Sequence, residues 1–164
     1  MGTEIERKFL VDRLPDPADL GAGVAMRQGY VAEEDGVAVR VRITDDEARL
    51  TIKAGDGVSR TEVELPLDVD EAASQWPFSE GRRIAKRRHR VDLPGGRVAE
   101  VDVYAGPLEG LLTVEVEFAS EADAAAFVAP SWFGREVTTE PGWSNLSLSR
   151  DGIPRGSGPA GGRP

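Results

Sequence analysis

The sequence predicts a mainly β protein of the α+β class, a closed eight-stranded antiparallel barrel with a charged lumen and short helices packed outside it. Two observations support this prediction. About eight segments alternate charged with apolar residues, the pattern of strands that have two different faces. Turn sequences such as Asp35-Gly36 and Pro94-Gly95-Gly96 join several of them as hairpins. About eight antiparallel strands suffice to close a barrel, which removes unpaired sheet edges.

The first half of the chain is predicted to be almost all strand. Residues 4–11 form the first strand, in which Glu4, Glu6 and Lys8 share one face. Prolines and glycines then leave room only for a short helix over residues 16–20. Four further strands follow, separated by the turns Asp35-Gly36, Asp45-Asp46 and Gly55-Asp56-Gly57: residues 24–32, 37–43, 48–54 and 58–67.

The second half mixes strands with helices. A helical segment is predicted over residues 69–80, where Ala72, Ala73 and Trp76 have helical spacing and Pro77 and Gly81 stop it. Another helix begins at Ser120 with a sequence similar to a capping box and ends near residue 130. A short helix is predicted over residues 145–150. The strands of this half are residues 82–93, 97–104 and 111–118.

The length of 164 residues suits a single domain, which we assign to residues 1–153. Residues 154–164 are mostly glycine and proline without apolar periodicity, so we expect a disordered tail. We see no internal repeat. The sequence leaves open whether the protein is a monomer or a homodimer.

Composition excludes several classes of function. A net charge of −9 argues against general binding to nucleic acid or to an anionic membrane. The absence of cysteine excludes disulfides, zinc–thiolate sites and thiol nucleophiles. No apolar run approaches about 18 residues and no signal-peptide pattern is visible, so we expect a cytoplasmic protein.

The charged residues are segregated by strand. Like charges two residues apart on one face repel each other, so their grouping is unfavourable unless something bound relieves it. A half-exposed open sheet with a solvated charged face is the alternative interpretation, and it applies to Glu4-x-Glu6-x-Lys8 taken alone. The acidic pairs are Glu4/Glu6, Glu62/Glu64, Glu100/Asp102 and Glu115/Glu117, and the basic positions are Lys8, Arg40, Arg42, Lys53, Lys86 and Arg88.

Acids and bases in one lumen indicate a particular ligand chemistry. Carboxylates without histidine or cysteine suit hard cations such as Mg²⁺ or Mn²⁺. Arginine and lysine suit phosphate oxygens. The two together favour a metal-complexed polyphosphate. His89, the sole histidine, lies on the apolar parity and is predicted to be structural or exposed.

Several motifs in order resemble the CYTH superfamily, also called the triphosphate tunnel metalloenzymes. The resemblance begins with the Glu-x-Glu-x-Lys motif at Glu4–Lys8 and spans residues 2–153. The later motifs are Arg40-Val41-Arg42, Thr51-Ile52-Lys53, Ser59-Arg60-Thr61-Glu62-Val63-Glu64, Glu80-Gly81-Arg82-Arg83, Lys86 with Arg88, Glu100-Val101-Asp102-Val103-Tyr104 and Glu115-Val116-Glu117-Phe118.

This resemblance implies an eight-stranded tunnel that binds a triphosphate and a divalent metal. It implies catalytic roles for Glu4, Glu6, Lys8 and Glu117, and it identifies residues 144–150 as similar to a helix that plugs one tunnel end. The implied triphosphate ligands are Lys8, Arg40, Arg42, Lys53, Lys86 and Arg88. The implied metal-facing acids are Glu4, Glu6, Glu62, Glu64, Glu115 and Glu117, with Asp102 supporting them.

Within that superfamily the chain most resembles the small bacterial members that hydrolyse tripolyphosphate. We therefore expect a metal-dependent hydrolase of the terminal phosphate, using Mg²⁺ or Mn²⁺ and a metal-activated water. The alternatives are a thiamine triphosphatase, a class IV adenylyl cyclase-like enzyme and a non-catalytic polyphosphate- or organophosphate-binding module. Trp76, Trp132 and Trp143 lie outside the charged strands, and we expect them to pack.

Overall fold

A computed structural model describes residues 2–55 and 58–155. In this part of the chain eight antiparallel strands form one closed barrel, in the order β1-β5-β4-β3-β2-β6-β7-β8. The predicted fold class is therefore confirmed. The strands are β1 (Gly2–Leu10), β2 (Val24–Glu34), β3 (Val37–Thr44), β4 (Ala48–Ala54), β5 (Ser59–Leu67), β6 (Arg83–Leu93), β7 (Arg97–Ala105) and β8 (Leu112–Glu117).

Four short helices lie outside the strands in the same described ranges: α1 (Pro17–Leu20), α2 (Val69–Gln75), α3 (Glu121–Ala126) and α4 (Asn145–Asp151). A 3₁₀ turn, Trp76–Ser79, continues α2. Asp68 and Glu71 cap α2 reciprocally, and the side chain of Ser120 caps α3. These side chains hold amide groups that have no partner inside the helix, so the helices begin where the sequence predicts.

The outward apolar rows of the strands form the core. On β1 and β8, Phe9 and Val114 pack with Phe118 and Phe133 beneath α3. A second cluster places Ala72 of α2 against β3 and β4. Because the apolar side chains take the outer face, alternation turns the charged rows inward.

Strand β1 has different neighbours along its length. Residues 2–5 pair with β5, whereas residues 6–10 pair with β8. Segment 134–137 occupies the other edge of residues 8–10, where the amide of Val137 donates to the Lys8 carbonyl (2.8 Å) and that of Gly134 to the Leu10 carbonyl (2.8 Å). This segment completes the wall beside Lys8.

Helix α3 ends at Ala126 rather than near residue 130. The guanidinium of Arg7 donates to the carbonyl oxygens of Ala124 (2.9 Å) and Phe127 (3.1 Å), and Phe127 is extended. Arg7 also binds the Glu136 carboxylate through Nε (2.8 Å) and Nη2 (2.6 Å). One outward arginine on β1 therefore anchors both the end of α3 and the segment that borders Lys8.

The helix α4 lies across one end of the barrel. Leu148 is buried there with Ile84, Tyr104 and Trp143. The Tyr104 hydroxyl donates to Asn145 Oδ1 (2.9 Å). An apolar cluster thus closes this end, and we call the opposite end, where Gly95, Glu117 and Ala119 line the cavity, the far end.

The predicted turn Asp35-Gly36 lies wholly within the described residues. At the β2–β3 hairpin both Asp35 (φ 48°) and Gly36 (φ 76°) are left-handed, as a type I′ turn requires. Asp56 and Gly57 of the next predicted turn lie outside the described residues, as do residues 156–164 of the predicted tail. Among the described helices, none is long and apolar enough to cross a membrane.

Candidate functional site

The barrel encloses a cavity of about 1100 Å³ that runs from α4 to the far end. Each strand contributes alternate side chains to it, which is why the charged rows meet there. All the predicted site residues except Asp102 line the cavity: Glu4, Glu6, Lys8, Arg40, Arg42, Lys53, Glu62, Glu64, Lys86, Arg88, Glu115 and Glu117.

Ion pairs bind three walls of the cavity together. Lys53 Nζ of β4 lies 2.7 Å from Glu4 Oε2 of β1 and 2.8 Å from Glu62 Oε2 of β5. Arg60 of β5 pairs with both Glu4 and Glu6. Burial would raise the pKa of Glu4, but the charge and hydrogen bond of Lys53, followed by Arg60, lower it overall. Glu4 is therefore ionised at neutral pH.

The most deeply buried charges lie on β6, β7 and β8. Asp102 accepts from Lys86 Nζ (2.6 Å) and from Nε and Nη2 of Arg88 (2.7 Å each). Glu115 lies 3.2 Å from Lys8 Nζ and accepts from Arg88 Nη2 at 2.9 Å. Burial opposes ionisation of Glu115, yet Lys8, Arg88 and Lys86 hold its pKa well below its usual value. A continuous network thus fixes the position of these cations.

Asp102 has a different setting from the one the sequence suggested. Its side chain is wholly buried and does not line the cavity. It lies behind Lys86 and Arg88, and both of these side chains donate hydrogen bonds to its carboxylate oxygens. Asp102 therefore holds Lys86 and Arg88 from behind and does not face the cavity with the other predicted acids.

Because Lys86 shares the Asp102 carboxylate with Arg88, the positive charge of Lys86 is not fully neutralised. Burial, followed by repulsion from Arg88, lowers the pKa of Lys86 to about 8, although Asp102 and Glu115 oppose that change. Lys8 behaves in the opposite way: burial opposes its charge, but the oxygens of Tyr104, Glu115 and Asp102 raise its pKa. Lys8 is therefore a permanent cation, and Lys86 is a titratable one.

The β3 wall carries excess positive charge. Arg40 is buried, donates to Thr51 Oγ1 (3.2 Å), and forms no ion pair with any residue in 2–55 or 58–155. Burial and then the neighbouring Arg40 lower the pKa of Arg42, even though Glu64 lies 3.4 Å away. Cations that repel one another in a cavity form a site for a multivalent anion.

The far end carries excess negative charge. Burial, followed by the charges of Glu4, Glu100 and Glu62, raises the pKa of Glu117. We call these four residues the acidic cluster. Glu62 Oε2 is buried, and among the described residues it accepts no hydrogen bond even though Lys53 is close. A divalent cation bound among these carboxylates would relieve the repulsion.

No group of three or more His, Cys, Asp or Glu side chains within the described residues is arranged closely enough to hold a metal ion. Several of the acids are paired with lysine or arginine instead, as Glu4 is with Lys53. The oxygen-only donor set still fits a hard divalent cation. Metal binding at the acidic cluster therefore requires some of these ion pairs to exchange partners.

The residues that line the cavity but were not among the predicted site residues include Arg60, Gln28 and Tyr30. Arg60 shares its parity with Glu62 and Glu64, so strand alternation alone identifies it as inward-facing. Gln28 and Tyr30 also share an inward parity, but their row of Met26, Gln28 and Tyr30 has no charged side chain to indicate that the lumen continues there. His89, as expected, is structural: its Nδ1 lies 3.2 Å from the carbonyl oxygens of Leu20 and Gly21.

Comparisons with known proteins agree with this architecture. The family described as CYTH domain matches residues 2–148. The chain is similar to the inorganic triphosphatase of Nitrosomonas europaea, with 46% identity over 148 residues, 90% of this chain and 97% of the relative. It is also similar to the inorganic triphosphatase of Acetivibrio thermocellus, with 38% identity over 153 residues, 92% of this chain and 96% of the relative.

The fold has a counterpart among solved structures. The crystal structure of the inorganic triphosphatase NE1496 superposes with a TM-score of 0.67 and 43% sequence identity. That comparison covers 90% of this chain and 97% of the other. The similarity therefore extends over the whole barrel rather than over one motif.

Proposed function

The chain belongs to the CYTH domain family, and from this membership and the geometry of the cavity we propose that it is an inorganic triphosphatase. It hydrolyses the terminal phosphoanhydride bond of tripolyphosphate with a divalent metal. The names of the two relatives support this activity. The observation that carries the proposal is the division of the cavity between a cationic wall around Arg40 and the acidic cluster at the far end.

The lumen cations bind the phosphate chain. Arg40 and Arg42 supply guanidinium groups from β3, and Lys8 supplies a permanent ammonium from β1. Lys86 and Arg88 are held in place by Asp102. Lys53 completes the set when it leaves Glu4 and Glu62 for a phosphoryl oxygen. Catalysis of phosphoryl transfer depends on this positioning and on charge neutralisation.

The acids hold the metal, which we propose to be Mg²⁺ or Mn²⁺. Glu4, Glu62 and Glu117 are its principal ligands, with Glu6 beside them. Glu64 and Glu115 instead balance the cations they contact. When bound, the metal supplies Lewis acidity at the phosphoryl oxygens and orients the attacking water. The protein supplies no side-chain nucleophile in this scheme, and Lys8 stabilises charge on the phosphate that is transferred or left behind.

A substrate panel tests the proposal. Purified protein is incubated with tripolyphosphate, ATP or thiamine triphosphate, each with Mg²⁺ or Mn²⁺, and released orthophosphate is measured. We expect turnover of tripolyphosphate well above that of the two organic triphosphates, and none in excess chelator. If the protein binds tripolyphosphate but releases no orthophosphate with any divalent metal, it is instead a non-catalytic polyphosphate-binding module.

A further inference from the structure

Gln28 lies on the inward face of β2, between Met26 and Tyr30, and lines the cavity. Its side chain is 1% exposed. It is a neutral amide among charged side chains, and the activity proposed above gives it no role. Its position on a strand rather than a loop fixes the direction of its side chain.

The amide nitrogen of Gln28 is a hydrogen-bond donor in a buried setting. No acceptor within residues 2–55 and 58–155 takes a hydrogen bond from Nε2. A buried amide donor that remains unsatisfied destabilises the folded state, because it loses its hydrogen bonds to water and gains none in return. Such a group needs an explanation, and an acceptor that enters the cavity supplies one.

The neighbours of Gln28 show what that acceptor is. In the sheet register Gln28 lies opposite Arg42 of β3. One step along the inward faces, Arg40 lies opposite Tyr30 and Lys86 lies opposite Met26. Gln28 therefore projects among three cations, where an anionic oxygen is the favoured acceptor.

A neutral donor has an advantage at this position. Burial and the charge of Arg40 already lower the pKa of Arg42, so a further cation on β2 would add to the repulsion in the ligand-free protein. An amide adds a hydrogen bond to the ligand without adding charge. Arg40 shows the same property, since its Nε also has no hydrogen-bond partner in the described part of the chain.

We propose that Gln28 is a substrate-binding residue that donates a hydrogen bond from Nε2 to a non-bridging oxygen of the triphosphate. This inference rests on the proposed function, because it takes tripolyphosphate as the ligand of the cavity. Gln28 and Arg40 together form a donor pair on the β2–β3 wall. Their unused N–H groups converge on the ligand from the side opposite Lys8 and Glu115.

The substitution Gln28→Met tests the contribution of Gln28 to ligand affinity separately from its contribution to stability. Methionine is close to glutamine in shape, so it keeps the packing and removes the unsatisfied donor. We expect the ligand-free variant to melt about 2 °C or more above the wild type, since removal of an unsatisfied buried amide stabilises the fold. We expect its affinity for tripolyphosphate to fall about tenfold or more, as for a lost hydrogen bond to a charged acceptor.

Both quantities are measured without added metal, by thermal melting and by titration calorimetry with tripolyphosphate. Gln75→Met, the same exchange on α2 outside the cavity, is the matched control and should leave the affinity unchanged. A Gln28→Met protein that binds tripolyphosphate as tightly as the wild type would overturn the proposal. So would a variant whose reduced affinity is matched by a lower melting temperature, because that pair of changes indicates a structural role.

Gln28→Glu provides a second test if the methionine variant does not fold. The new carboxylate pairs with the surrounding cations and excludes the anion, so we expect a folded protein whose affinity falls about 100-fold or more. Wild-type affinity in this variant would overturn the role of Gln28. Failure of the wild type itself to bind tripolyphosphate would overturn both proposals, whereas binding without phosphate release would overturn only the hydrolysis.

Discussion

Lys86 is a buried lumen cation whose charge depends on pH near neutrality, because burial and Arg88 lower its pKa to about 8. Below that pH the side chain is protonated and attracts phosphate; above it the side chain is neutral. Bound triphosphate favours the protonated form and raises this pKa. We therefore predict that tripolyphosphate affinity, measured by calorimetry without metal, falls as pH rises above about 8, by up to tenfold per unit.

The control for this prediction is Lys86→Arg. Arginine stays charged throughout the range, so the variant reports the titration of the ligand and of all other groups. Subtracting its profile from that of the wild type leaves the contribution of Lys86. Identical profiles for the two proteins between pH 7 and pH 10 would show that Lys86 does not titrate there.

Asp102 allows a prediction about stability, because two cations depend on it. Replacing it by asparagine keeps the shape and leaves Lys86 and Arg88 without their buried counter-charge. We predict a loss of about 3–5 kcal/mol in the free energy of unfolding, measured by urea denaturation. Asp92→Asn, at an exposed position of the same hairpin, is the control and should change stability by less than about 0.5 kcal/mol.

Sequence alternation was enough to predict which charged side chains face inward, but not which of them pair. Lys53 and Glu4 are in contact although their strands are separated by β5. Such contacts depend on the stagger of the strands around a barrel, which a one-strand pattern does not contain. The sequence groups Asp102 with the other acids for the same reason. Its burial behind Lys86 and Arg88 depends on contacts between strands, which strand alternation does not predict.

Strand β1 is held in place by contacts with the irregular segment that follows α3. Arg7 joins the two through Glu136 and through the carbonyl oxygens of Ala124 and Phe127. We predict that Arg7→Lys, which keeps the charge and loses the paired geometry, lowers stability by about 2–3 kcal/mol. Hydrogen exchange at the amides of Gly134 and Val137 should accelerate, because both bond to β1.

Arg13→Lys, at an exposed position in the loop after β1, is the matched control and should leave exchange at those two amides unchanged. Unaltered exchange in Arg7→Lys would mean that the backbone hydrogen bonds of segment 134–137 hold it without the arginine.

The strands and helices were predicted closely because their patterns are local: alternation for the strands and capping residues for α2 and α3. The segment between α3 and α4 was not. It docks on β1 through backbone hydrogen bonds, which carry no side-chain periodicity. The early end of α3 likewise depends on Arg7, more than one hundred residues away in the chain.

At the scale of the whole molecule, the ligand-free tunnel holds cations that repel one another. Tripolyphosphate binds only the folded tunnel, so it should raise the melting temperature. At about 1,000 times the dissociation constant the stabilisation is about 4 kcal/mol, or about 8–16 °C for a domain of this size. Lys8→Ala should show a much smaller shift at the same concentration, and an equal shift would remove Lys8 from the binding site.

The closed barrel was predicted correctly because segregated charged rows on about eight strands have few other stable arrangements. The closure of one end by α4 was suggested only by resemblance. Its physical basis is the apolar cluster of Ile84, Tyr104, Trp143 and Leu148, and Ile84 and Tyr104 share the inward rows of their strands with charged side chains. The sequence of such a row does not show why apolar and charged residues occur together, because the explanation is the position of α4 in the folded protein.

Cleavage of the terminal anhydride bond of tripolyphosphate in this tunnel can be followed by ³¹P NMR of the reaction with Mg²⁺ or Mn²⁺. We predict that tripolyphosphate signals are replaced by orthophosphate and pyrophosphate in equal amounts during the early reaction. With ¹⁸O-labelled water, the label should appear in the orthophosphate. If tripolyphosphate stays intact with every divalent metal, at concentrations where calorimetry shows it bound, the protein is not a triphosphatase.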